Sequence, residues 1–110
     1  MSISADLIRG HTDAIILAQL LNRDSYGYEI NKTISNASGR QFELKEATLY
    51  TAFKRLEAAG YIQSFWGDEA VGARRKYYRI TSAGRACYRQ MLEEWEQTKT
   101  IMNTLLEEKR

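Results

Sequence analysis

A mainly α-helical fold carrying one β-hairpin is predicted for this 110-residue chain on three observations. Apolar residues recur at helical spacing over most of its length, and proline is absent throughout. Aromatic, β-prone segments flank a glycine-bracketed stretch at one place only, "YIQSFW" before it and "RKYYRIT" after it. The length suits a single small core or one domain with an appended element.

The first helix is expected over "ADLIRGHTDAIILAQLLNRDS", with Leu7, His11, Ala14, Ile15, Ala18 and Leu21 on one face. Ile16, Leu17 and Leu20 make its second half apolar nearly all round, which demands cover on most sides. Asp24 or Ser25 is expected to cap a second helix, "YGYEINKTISNAS", ended by Gly39. A third helix is expected within "FELKEATLYTAFKRLEAAG", where Leu49, Ala52, Phe53 and Leu56 form the apolar stripe and Gly60 is the stop residue. Opposite the stripe lie Ala47, Thr51 and Lys54, flanked by Thr48, Tyr50 and Arg55.

The hairpin follows, its strands joined through "GDEAVGA". Alternation sets Lys76, Tyr78 and Ile80 on one face of the second strand and Arg75, Tyr77 and Arg79 on the other. Trp66 is expected as an anchor at the base of the hairpin. From Ser82 the chain reads as one helix of about 27 residues, about 40 Å at 1.5 Å per residue and longer than so small a body needs. Tyr88, Met91, Trp95, Thr98, Met102 and Leu105 are spaced alternately three and four apart along it, a heptad seam. That seam and the over-apolar first helix together predict a homodimer, with Tyr88, Met91, Trp95, Met102 and Leu105 at its interface.

Charge localises the expected partner. The net charge is only +2, but residues 40–79 carry eight basic and five acidic side chains and hold all of the excess. Three helices, the third amphipathic, followed by a basic hairpin make the plan of a winged helix-turn-helix. Its third helix enters the major groove of double-stranded DNA and its wing touches the neighbouring backbone. The residues expected at DNA are Thr48, Tyr50, Thr51, Lys54 and Arg55 on the helix and Arg74, Arg75 and Lys76 on the wing. The planar fork of arginine meets phosphate oxygens in pairs. A winged domain that binds only proteins is the alternative reading, and the cationic wing argues against it.

Other classes find little support. No apolar run approaches the roughly 20 residues that span a bilayer, and the first residues lack the pattern of a signal peptide. The lone Cys87 fits a reducing cytoplasm. His11 and Cys87 have no companions with metal-ligand spacing, so neither a metal nor a cofactor is expected. No phosphate-binding glycine loop or nucleophile with its base marks an enzyme.

The segments "EATLYTAFKRLEAAGYI", "WGDE" and "GARRKYYRIT" resemble the PadR family of bacterial transcriptional regulators, over practically the whole chain. The chain is similar to the short members with a single C-terminal helix, and among these to multidrug-binding repressors. The resemblance implies a dimeric repressor, with a winged-helix domain over residues 1–81 and a dimerisation helix over 82–110. A two-fold dimer presents two equivalent recognition helices, so an inverted-repeat operator is expected. The resemblance further implies that Trp95 stacks on planar aromatic ligands in a slot at the dimer interface, lined by Leu7, Gly10, Ala14 and Ala18 and completed by Leu92 and Lys99. Lys99 departs from the acidic side chain that drug-binding relatives carry one turn beyond this Trp. A neutral or anionic aromatic ligand is therefore as consistent with the slot as a cationic one, and a regulator without any ligand is the alternative.

Overall fold

The computed structural model describes residues 8–67 and 74–107. A 3₁₀ turn, Arg9–His11, leads into helix α1, Thr12–Gln19. Strand β1, Ser25–Tyr26, precedes α2, Gly27–Ala37, and α3 spans Glu46–Ala58. Strands β2, Ile62–Trp66, and β3, Lys76–Ile80, form the hairpin, and α4 runs from Ser82 to Leu106. The sheet is antiparallel with order β1-β3-β2. The loop expected between β2 and β3 falls mostly on 68–73, outside the described residues, as does Leu7.

One core unites these elements. Ile16, Leu17 and Leu20 of the first helical segment are buried together with Ile30, Leu49, Phe53, Leu56 and Ile62. Part of the surplus apolar surface expected of the first helix is thus consumed inside the chain, whereas Ala14, Ile15, Ala18 and Leu21 are only partly buried. The α3 stripe is buried at all four expected positions, and Phe53 stacks on Tyr78 of β3 with ring centroids 4.0 Å apart. Burial pushes the Tyr78 hydroxyl pKa up, with a smaller contribution from the nearby Glu57 carboxylate. Both glycine stops are Schellman motifs. Gly39 and Gly60 sit at φ +65° and +81°; Arg40 N–H reaches Ser35 C=O at 2.7 Å, and Tyr61 N–H reaches Leu56 C=O at 3.0 Å.

Three element boundaries differ from expectation, and partners distant in sequence account for two of them. The α1 helix stops at Gln19, several residues before the expected end. Ser25 does not cap α2 by accepting a hydrogen bond; the backbone of Ser25 and Tyr26 is extended to pair with Tyr78 and Tyr77, and the Ser25 hydroxyl donates to the Glu29 carboxylate. Asp24 instead accepts hydrogen bonds from the Arg79 guanidinium of β3, at 3.0 and 3.2 Å. Helix α3 starts at Glu46 rather than near Phe42 because Asn31 holds the Leu44 backbone at both ends. Its amide donates to Leu44 C=O at 2.6 Å and its carbonyl accepts from Leu44 N–H at 2.8 Å. A residue so held cannot join the helical ladder.

The start of α4 is tied to the hairpin. The Thr81 hydroxyl caps it by accepting from Gly84 N–H at 3.0 Å, and donates to Gly60 C=O at 2.7 Å. Gly84 is buried so closely that a Cβ there would lie 2.1 Å from the Tyr61 carbonyl oxygen. Gly84→Ala is therefore expected to destabilise the protein by about 3 kcal/mol, lowering Tm by more than roughly 10 °C in a thermal melt. A melt unchanged by this substitution would refute the close packing of α4 on the Tyr61 carbonyl.

Candidate nucleic-acid interface

The apolar stripe of α3 faces the core, so its other face is turned outward. Thr48, Tyr50, Thr51, Lys54 and Arg55 are all exposed. Tyr50 is 44% exposed; its ring meets Phe53 edge-on, and its hydroxyl lies where a Cβ on Gly27 would come within 2.7 Å. It half-packs against the start of α2, which fixes the ring at the protein surface. Arg55 differs from its neighbours: both Asp13 carboxylate oxygens accept from its guanidinium, Nε at 3.2 Å and Nη2 closer still. This hydrogen bonding raises the Arg55 pKa further above its ordinary value. The pair holds α3 to α1.

The wing presents cations mounted on rings. Arg74 lies over Trp66 at 5.7 Å, Arg75 over Tyr26 at 4.9 Å, Arg79 over Phe65 at 4.8 Å, and Lys76 at 6.0 Å from the Tyr78 ring. The rings form a rack of their own: Tyr77 meets Tyr26 edge-on at 5.2 Å and stacks with Phe65 at 5.6 Å. As expected, Tyr78 and Ile80 are buried while Arg75 and Arg79 stay outside. Lys76 is exposed although it shares the inward parity, because the strand begins there at the edge of the core. Trp66, expected as an anchor at the base of the hairpin, is 55% exposed and lies beneath the Arg74 guanidinium.

Cations that sequence reading had not singled out border the same face. A groove of about 710 Å³ beside the start of α3 is lined by Arg9, Arg40, Lys45 and Thr48, with Glu43 among them. Arg40 and Lys45 lie in the segment between α2 and α3, where no periodicity marks a face.

A second surface lies along α4. Its heptad seam divides: Tyr88 and Met91 pack against the chain's own core, whereas Trp95 and Met102 are 40% and 45% exposed and Leu105 is 69% exposed. Leu92, Ile101 and Leu106 add to the bare apolar face. The first part of α4 packs on α1, aided by a hydrogen bond from Arg85 to Leu21 C=O at 2.9 Å. Further along α4, Trp95 meets the ring of His11, in the 3₁₀ turn ahead of α1, at 5.0 Å and 72°. Ala14 and Ala18 are half-buried on α1, and nothing lies within 4 Å of the space a Gly10 side chain would fill. Lys99 pairs with Glu96 at 3.1 Å. The contact of His11 with Trp95 spans 84 positions and has no signature in local spacing. Among the described residues no group of His, Cys, Asp and Glu is arranged to hold a metal, and no helix is long and apolar enough to cross a membrane.

An exposed polar face on the third helix, followed by a cationic hairpin packed on the same core, defines a winged helix-turn-helix protein. Residues 16–90 match the model of the transcriptional regulator PadR-like family. The chain is 50% identical to a transcriptional regulator of Clostridium thermocellum, covering 96% of this chain and 99% of that one, with a TM-score of 0.88. A PadR family transcription regulator of Clostridium difficile is 39% identical, with 88% and 99% coverage and a TM-score of 0.77. An uncharacterised protein of Lysinibacillus sphaericus is 47% identical over 105 residues, 96% of each chain. The chain belongs to the PadR-like family of transcriptional regulators, whose members regulate transcription and are not enzymes.

Proposed function

We propose that the chain is a homodimeric repressor that binds an inverted-repeat operator in the cytoplasm and is modulated by a planar aromatic ligand held between its subunits. The observation that carries the DNA reading is the cationic wing set beside the outward face of α3. Residues 1–81 read the DNA and the helix from Ser82 pairs the two copies. Thr48, Tyr50, Thr51 and Lys54 face the groove, and Arg74, Arg75 and Lys76 reach phosphates. Arg55, held by Asp13, serves at the margin.

Support for the ligand comes from Trp95, whose indole is 40% exposed and meets the His11 ring just ahead of α1. A second copy of α4 brought against the first closes a slot over the two Trp95 rings, with Gly10, Ala14, Ala18, Leu92 and Lys99 around it. Offset stacking is worth roughly 0.5–1.5 kcal/mol per ring beyond burial, and with desolvation this is consistent with micromolar binding.

Selection from random duplexes tests the DNA half of this reading. Recovered sites are expected to be inverted repeats with half-sites about one helical turn apart. Thr51→Ala is expected to change which bases are enriched. Recovery of no preferred sequence would overturn the reading of α3 as a recognition helix.

A further inference from the structure

We propose that Asp13 is a positioning residue that withholds Arg55 from the DNA backbone, so that the sequence-independent part of the affinity stays below what the cations of this face allow. This rests on the reading of α3 as the recognition helix and adds to it a carboxylate that limits the grip of that helix on any duplex.

Three observations carry it. The first is position. Arg55 stands four residues after Thr51, one helical turn along the outward face of α3, and its side chain is 53% exposed. A groove of about 470 Å³ between α1 and α3 is lined by Asp13 and Arg55 together with Thr48 and Thr51. The pair thus lies beside the residues turned toward DNA.

The second is geometry. Nε and Nη2 of Arg55 donate to different oxygens of Asp13, Nε at 3.2 Å. This is the fork-to-fork arrangement in which a guanidinium also meets a phosphate. The carboxylate occupies one complete fork and offsets the positive charge beside it. The third is contrast. Lys54 of the same helix, and Arg74 and Lys76 of the wing, meet no carboxylate among the described residues. An ion pair half open to water stabilises a fold little, so the effect of Asp13 falls mainly on what Arg55 can reach.

Fluorescence anisotropy of the full chain on a selected operator and on a scrambled duplex, from 50 to 200 mM salt, tests the proposal. Asp13→Asn keeps the shape of the side chain and removes its charge. It frees one further phosphate contact per subunit and is expected to steepen the fall of log K with log salt by about 2, at about −0.9 per contact. Its gain over the native chain is therefore expected to be about tenfold larger at 50 mM than at 200 mM, and equal on the two duplexes. Loss of a merely structural contact weakens binding without steepening the slope. Asp13→Asn combined with Arg55→Gln is expected to restore the native slope, and Arg55→Gln alone to change affinity less than about threefold. Glu94→Gln removes the same charge from an exposed position on α4 and is expected to shift the slope by less than about 0.5. Equal steepening in Glu94→Gln assigns the effect to net charge and overturns the role of Asp13. So does a native slope in Asp13→Asn, or a loss of more than about tenfold in Arg55→Gln, while α3 keeps its reading as the recognition helix. If the native chain binds neither duplex, both readings fall. Circular dichroism establishes that Asp13→Asn folds; if it does not, Arg55→Gln decides alone.

Discussion

Raising salt from 50 to 200 mM is expected to weaken operator binding by about 10³-fold. Arg74, Arg75 and Lys76 give three phosphate contacts per subunit, hence about six per dimer. At about −0.9 per contact, log K falls against log salt with a slope near −5. Arg75→Ala removes one contact from each subunit and is expected to flatten the slope by about 2, weakening specific and unrelated duplexes in the same proportion. Phosphate contacts position the protein without reading sequence. Fluorescence anisotropy on an operator and a scrambled duplex, over a salt series, supplies both slopes. An Arg75→Ala protein with native affinity and slope would remove the wing from the interface.

Sedimentation at micromolar concentration is expected to give twice the chain mass of 12.7 kDa. The double substitution Met102→Glu with Leu105→Glu is expected to give that mass once, with the fold retained. Both side chains are exposed within the single chain and neither belongs to its core, so their replacement leaves the core intact. At a two-fold interface each is buried twice, at about 1.5–3 kcal/mol per Met or Leu side chain, and the substitutions bring four carboxylates together there. Met91→Glu is a different experiment: Met91 packs on the chain's own core, and its replacement is expected to lower stability as well as dimerisation. A native protein that sediments as a monomer would refute the dimer.

What could be read in advance was what local spacing encodes. The α3 stripe repeats at helical period, and all four of its residues are buried. Gly60 follows it at the one position where a left-handed residue closes a helix. Alternation along β3 separated Tyr78 and Ile80 from Arg75 and Arg79. The starts of α2 and α3 were set by partners distant in sequence: Asn31 holding Leu44, Tyr78 pairing with Ser25, Arg79 reaching Asp24. A two-residue strand carries no periodicity, and an asparagine does not announce which backbone it will hold. The heptad along α4 was legible, but a repeat does not say whose surface meets it. Tyr88 and Met91 proved to face the chain's own core, and the bare face begins only near Trp95. At the candidate sites, the exposure of Arg74, Arg75 and Lys76 was legible, while the Arg55–Asp13 pair and the His11–Trp95 contact were not.

The rings beneath the wing cations have a consequence for conformational entropy. A long basic side chain that waves freely in water must be stilled when it meets a phosphate, at a cost of about 0.5–1.5 kcal/mol each. Arg74, Arg75 and Arg79 already rest on Trp66, Tyr26 and Phe65 before any nucleic acid arrives. Part of their freedom is surrendered during folding, once, and each later encounter with DNA gives up correspondingly less. The aromatic content of a hairpin too small to need so many rings thus makes the wing a surface whose charges are in place ahead of contact.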